Sequence, residues 1–256
     1  MIGVIIQARM GSSRFPGKVM KKINNKNPML RYVVNQVKKS KKINKLIIAT
    51  TVLNEDNEIE KYLNSKKILC FRGNSYDVLD RYYNCAKKFN IDIVVRITGD
   101  CPLIEPEIID KVISKYLSGK FDYVSNNNPR TFPYGMDLEI FSFKTLENAF
   151  LNAKLPSERE HVTPFIYNHP KKFKIGKIKN LKDYSNIRLT VDRELDFVLI
   201  EKIIIKIKKN PILLKDIIDL YNKEPEIFKI NQDYVTDEGY LKSLKEDIEF
   251  RKKKQY

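Results

Sequence analysis

The sequence predicts an α/β fold with a mostly parallel, doubly wound central sheet and helices on both faces. Three observations predict it. Apolar runs of strand length recur through the first two-thirds of the chain, and stretches with helical spacing follow them. The strands lack polar alternation, as expected when both faces of a parallel sheet are covered. Polar or glycine-containing loops begin at Ala8, Thr50, Arg72 and Thr98, each just after a predicted strand, where such sheets bind their ligands.

Taken in order, Gly3–Gln7 is the first strand. Pro28–Lys38 carries Leu30, Val33, Val34 and Val37 at helical spacing. Lys45–Thr51 is a second buried strand, and Asn54-Glu55-Asp56 opens a helix with acidic residues in its first turn. A strand at Lys67–Phe71, a helix at Val78–Phe89, a strand at Ile91–Ile97 and a helix at Glu105–Leu117 complete the regular part. Residues 121–174 change character. Asp122–Ser125 and Asp137–Phe143 read as strands and Phe143–Ala153 as a helix, in a segment suited to a substrate lid or a dimer-forming excursion. Asn186–Val191 is read as a last core strand and Phe197–Lys209 as a helix. With no internal repeat or linker, residues 1–245 form one domain and 246–256 a basic tail.

Composition narrows the classes. The 42% hydrophobic content of 256 residues suits a globular chain. No apolar run approaches the roughly 18 residues of a membrane span, and the N-terminus lacks a basic leader, so no membrane association is expected. Cys70, Cys85 and Cys101 are odd in number and lack metal-binding spacing, which points to a reducing, cytoplasmic setting. The net charge of +16 would suit nucleic acid, but 37 of the 48 basic residues are Lys scattered along helices, with no recognition motif. No nucleic-acid partner is expected.

Three constellations carry chemistry. Gln7–Lys18 (QARMGSSRFPGK) sets three cations, two glycines and two hydroxyls directly after a buried strand, a polyphosphate cradle. A Walker A loop is excluded: Gly11 and Gly17 enclose five residues rather than four, and Val19 stands where Ser or Thr would bind magnesium. Asp100, in RITGDCPLI, ends a strand and reads equally as a turn cap or a cation ligand. Asp192, in TVDRELD, again sits between a strand and a helix, and two such carboxylates beside a phosphate loop suit Mg²⁺. Asp196 reads as a helix N-terminal charge. Arg72 would face a base carbonyl or form a turn; Asp137 and Glu139 share one strand face, holding a cation or substrate or lying exposed. His161, beside Arg159 and Glu160, is more often structural.

Together these stretches resemble the cytidylyltransferases that activate sugar acids. IIQARMGSSRFPGKV (5–19), RGNSYDVLDRYY (72–83), VVRITGDCPLI (94–104), YGMDLEIF (134–141), SEREHVTPFI (157–166) and IRLTVDRELDF (187–197) match, in order, the spore coat polysaccharide biosynthesis cytidylyltransferase group. The likeness to CMP-Kdo and CMP-sialic acid synthetases is more distant: Gln7 replaces their Pro, and the fourth and fifth motifs are not theirs. The resemblance, over residues 1–245, implies a three-layer Rossmann-like nucleotide-diphospho-sugar transferase (GT-A-like) fold and a CTP-dependent reaction releasing pyrophosphate, for surface polysaccharide or glycoconjugate biosynthesis. It implies a nucleotide site of Ala8, Arg9, Met10, Gly11, Ser12, Arg14, Lys18, Thr50, Thr51, Arg72, Asp77, Thr98 and Gly99. Arg9, Lys18, Asp100 and Asp192 would be catalytic, the two aspartates holding Mg²⁺. Asp137, Glu139, Arg159 and His161 would meet the acceptor, a sugar acid or a phosphorylated small metabolite, and the family's dimers imply a homodimer. A glycosyltransferase would need a DxD-type motif, where Gly99-Asp100-Cys101 offers one carboxylate. Other sugar nucleotidyltransferases open their loop with Gly-Gly, where this chain has Ala8-Arg9.

Overall fold

Strand β1 (Ile2–Gln7) is apolar up to its last residue because helices cover both its sides: Val4 and Ile6 face one core and Ile5 the other. In this computed structural model, which describes residues 1–253, β1 lies inside a seven-stranded sheet. Its neighbours are β4 (Lys45–Thr51) and β6 (Ile93–Thr98), both parallel to it. Between β1 and β4 lie a two-residue hairpin, β2 (Lys22–Ile23) with β3 (Asn27–Pro28), and helix α1 (Met29–Val37). Beyond β4 the edge is β5 (Leu69–Gly73). Beyond β6 come β8 (Glu139–Ser142), β7 (Tyr123–Ser125) and β9 (Ile175–Lys177), giving the order β5-β4-β1-β6-β8-β7-β9. Only β8 runs against its neighbours. The α/β, three-layer, mostly parallel architecture is as expected.

One face of the sheet is covered by α1, α2 (Asn57–Ser65), α4 (Pro106–Leu117), α8 (Glu194–Ile207) and α9 (Leu214–Lys223). The other is covered by α3 (Val78–Lys88), α5 (Phe143–Asn152) and α7 (Pro164–Tyr167). Helix starts follow local chemistry. The Asp77 carboxylate accepts the Asp80 N–H at 2.9 Å, Ser142 Oγ accepts the Thr145 N–H at 3.0 Å, and Pro106 and Pro156 open α4 and α6 (Pro156–His161). A short 3-10 turn at Asn54–Asp56 precedes α2.

The expected last core strand does not form. Asn186–Val191 is not a sheet strand; it makes one isolated bridge, Arg188 to Tyr134. Gly135, at φ 105°, brings its backbone so near this segment that a Cβ would lie 2.4 Å from Thr190 N, and the Tyr134 carbonyl takes the Leu189 and Thr190 N–H groups instead. Residues 121–174 are integral to the fold, supplying β7, β8, α5, α6 and α7. At the C-terminus α10 (Glu238–Lys253) crosses the expected boundary at 245 and packs on α6, where Asp247 accepts both N–H and O–H of Ser157. Of the expected basic tail, residues 254–256 lie outside the described residues. Among the described residues no helix is long and apolar enough to cross a membrane, and the three cysteines are free.

Candidate active site

β1 and β6 end side by side, Gln7 opposite Thr98, so the loop after β1 and the turn after β6 leave the sheet together. Gly99 donates to the Gln7 carbonyl at 2.8 Å, and a Cβ there would sit 2.9 Å from that oxygen. The loop folds on itself. Ser12 and Gly17 both donate to the Met10 carbonyl, at 2.8 and 2.9 Å, and the Met10 N–H is held by Asp56 at 2.7 Å. Asp56 is fully buried and also accepts the Thr51 N–H and hydroxyl, so it ties the loop to the end of β4. Gly17 takes the left-handed conformation, φ 69°, that turns the chain into a 3-10 turn and sends Lys18 inward.

Lys18 Nζ is where the site closes. It donates to the Val191 carbonyl at 2.6 Å and to Asp100 Oδ2 and Asp192 Oδ1 at 3.1 Å each. Burial alone would lower its pKa, but Asp100 and then Asp192 outweigh burial and hold it above the ordinary lysine value. Asp192 receives three cations: Lys18, Arg14 at 2.7 Å and Arg188 at 3.1 Å. Burial pushes its pKa up, and Lys18, Arg14 and Arg188 together bring it below the usual aspartate value. Asp196 caps α8 by accepting the Asp192 and Arg193 N–H groups at 2.9 and 3.0 Å, and it grips Arg188 and Asn231. It is the helix N-terminal charge expected.

Lys18, Arg14, Asp100 and Asp192 line a cavity of about 1260 Å³ above the strand ends. Ala8, Arg9, Ser12, Arg14, Lys18, Thr98 and Gly99 border it, with Asp100 and Asp192 beside them. Arg9 pairs with Glu160 at 3.3 Å. Met10, Gly11, Thr50, Thr51, Arg72 and Asp77 do not border the cavity. Thr50 and Thr51 are buried, and Arg72 donates to Thr51 O, Leu53 O, Asn57 and Glu60, which folds it along the outside of β4. Asp77 lies one shell back, holding Arg159.

The four residues expected to meet the acceptor all reach the cavity, already engaged. Asp137 is paired with Arg130 at 3.0 Å, and burial raises its pKa despite that cation. Arg159 is fixed by Asp77 and the Phe150 carbonyl. His161 faces Ser243 Oγ at 3.0 Å and meets the Tyr240 ring edge-on; burial, then Arg96, lower its pKa to about 4, which leaves it neutral at pH 7. Glu139 is buried and bound to Arg96, Tyr123 and Thr163. The roof was not foreseen. Residues 237–246 of α10 and its approach overhang the cavity, Glu238 pairing with Arg14 and Arg193 and Asp237 with Arg130. Sequence reasoning also passed over Arg81 and Arg96. For Arg96 a signal existed, a charge inside the apolar run IVVRIT; Arg81 is fully buried on α3, forms no ion pair among the described residues and donates to the Asn74 carbonyl at 2.6 Å.

The donor chemistry suits a hard divalent cation: Asp100 and Asp192 converge on one point, and such ions take one or two carboxylates plus substrate phosphates. No group of three or more acidic, His or Cys side chains able to hold a metal occurs among the described residues, so phosphate oxygens would have to complete the shell. A cationic loop after β1, with Asp100 after β6 and Asp192 before α8 facing it, defines the class, a nucleotidyltransferase. The comparisons specify it. A model of the cytidylyltransferase family matches residues 3–246, and the chain belongs to that family. It is 42% identical over 233 residues to an uncharacterized protein of Methanocaldococcus jannaschii, across 89% of this chain and 93% of that one. It is 30% identical over 230 residues to the spore coat polysaccharide biosynthesis protein SpsF of Bacillus subtilis, across 87% and 94%. The structure of a cytidylyltransferase from Leptospira borgpetersenii superposes with a TM-score of 0.85 at 35% identity, over 92% of this chain and 98% of that one. The protein is therefore a CTP-dependent nucleotidyltransferase.

Proposed function

We propose that this enzyme transfers CMP from CTP to an oxyanion-bearing acceptor, a sugar acid or a phosphorylated small metabolite, in the making of a surface polysaccharide or glycoconjugate. The observation that carries it is Lys18 held between Asp100 and Asp192 beneath a loop that also carries Arg9 and Arg14. The link to polysaccharide rests on the likeness to the Bacillus subtilis protein. An acceptor oxygen attacks the α-phosphorus; the bond to the bridging α,β-oxygen breaks and pyrophosphate leaves with that electron pair. Such a transfer asks mainly for positioning and neutralised charge. Arg9, Arg14 and Lys18 are the triphosphate ligands in this reading, Arg14 and Lys18 exchanging carboxylate oxygens for phosphate oxygens when CTP binds. Mg²⁺, held by Asp100 and Asp192, would supply charge neutralisation at the phosphates when bound. Arg72 serves the nucleoside only by giving up or adding to four internal contacts, since one of its five N–H groups is uncommitted. A homodimer through residues 121–174, in the cytoplasm, belongs to the same reading.

The test is pyrophosphate release with each of the four NTPs against sugar acids and phosphorylated metabolites, with and without Mg²⁺. Release with CTP alone, dependent on Mg²⁺, is expected. Turnover with UTP or GTP but not CTP sinks the proposal, and a monomer by sedimentation at assay concentration removes the dimer.

A further inference from the structure

Glu139 and Arg96 are direct cross-strand partners, on β8 and β6, on the sheet face that also carries Val94 and Phe141. A buried ion pair inside a sheet adds little stability, because desolvation offsets the attraction and apolar replacements do as well or better. The two partners are unequally used. The Glu139 carboxylate accepts from Arg96 on one oxygen and from Tyr123 and Thr163 on the other, so it has little left to offer a ligand. Arg96 has five N–H groups. Nη1 goes to Glu139, Nη2 has only a long contact of 3.4 Å to Gln7, and Nε has no partner. Arg96 borders the cavity near two uncharged groups, Tyr167 and His161. Arg96 stands two residues before the end of β6 and Asp100 two after it, on the order of 10 Å along the chain, within the span of one small acceptor.

We propose that Arg96 anchors the acceptor by binding its oxyanion, a carboxylate or a phosphate, and that Glu139 is a positioning residue that holds the guanidinium toward the cavity. This rests on the cytidylyl-transfer reading and assigns the residue that selects the acceptor. A bidentate, charge-assisted contact of this kind discriminates by roughly 10- to 100-fold.

The experiment is calorimetric binding to the full chain in three steps. The α,β-methylene analogue of CTP is bound first with Mg²⁺; 3-deoxy-manno-octulosonate, as the carboxylate probe, and glycerol 3-phosphate, as the phosphate probe, are then titrated separately. The variants are Arg96→Lys, Glu139→Gln and the neutral pair Arg96→Gln with Glu139→Gln, which keeps an acceptor for Tyr123 and Thr163 and so guards against unfolding. The wild type should bind one of the two probes, and which one names the source of the oxyanion. The double variant should weaken that binding by roughly 10- to 100-fold while the CTP analogue stays within about twofold; Arg96→Lys and Glu139→Gln should fall between. Equal probe binding by the wild type and the double variant overturns the proposal, as does a CTP-bound wild type that takes neither probe. Failure of the wild type to bind the CTP analogue overturns the cytidylyl reading itself.

Discussion

Two buried ion clusters meet the same cavity and are built on opposite plans. Around Lys18 the carboxylates are shared. Asp192 serves three cations at once and Asp100 one, all on loop and turn segments outside the sheet, with Arg14 also pulled by Glu238 of the roof. Partners that are shared can be exchanged for phosphate oxygens without leaving a charge bare, since each cation keeps a second carboxylate. Around Arg96 the anion belongs to the sheet. Glu139 is saturated from three directions, and only the arginine retains donors. The first cluster suits a ligand that replaces protein contacts, and the second a ligand that adds to them.

Breaking the first cluster should have the largest effect. Asp192→Ala removes a carboxylate shared by Lys18, Arg14 and Arg188, each of which keeps one other partner, and should lower stability by about 1–3 kcal/mol as well as abolish pyrophosphate release. Denaturant midpoints and the release assay check both; wild-type turnover would remove Asp192 from the machinery. Next, Lys18→Met should reduce kcat with CTP by roughly 10²–10³-fold, the usual loss for one charged donor to a transition state. A change confined to the acceptor KM would place Lys18 in the wrong half of the cavity. Asp56→Ala is milder, because it touches the loop from below. Freeing the Met10 N–H and two Thr51 donors should cost about 1–3 kcal/mol and raise the KM for CTP, with acceptor binding unmoved. The smallest effect at neutral pH lies with His161, whose contribution shows only in acid. Its folded pKa, about 4, is below the unfolded value of 6.5, so the unfolded chain binds the proton more readily. Stability is complete above pH 6.5 and declines as pH falls toward 4. Melting curves should show this slope flattened in His161→Gln.

How much of the site was legible follows from how local each signal was. The loop from Ala8 to Lys18 could be read because a strand, glycines and cations lie together in the chain. The ends of β1 and β6 could be read for the same reason, and Asp100 with them. Glu139 was legible as a cavity residue but not as a saturated one, since Tyr123 and Thr163 reach it from 16 and 24 residues away. Arg72 was legible as a polar residue at a strand end but not by its partners. Its place at a strand end suggested a ligand contact, while Asn57 and Glu60, one helix earlier, take its guanidinium along the outside of β4. Ile187, Leu189 and Val191 are buried as a strand's residues would be, and burial pattern alone does not tell a sheet strand from an extended segment clasped by Gly135.

The sequence by itself determined the layered α/β architecture and marked the cationic loop after β1, with Asp100 and Asp192 as carboxylates at the same cavity. Hydrophobic period and local loop chemistry act over a few residues and leave their mark in the chain. Tertiary structure alone decided which charges face which. It set Lys18 between Asp100 and Asp192, folded α10 over the cavity with Glu238 on Arg14, and filled the Glu139 carboxylate while leaving Arg96 with donors to spare. A polar side chain's role depends on how many of its hydrogen bonds are already met, and those partners arrive from distant parts of the chain.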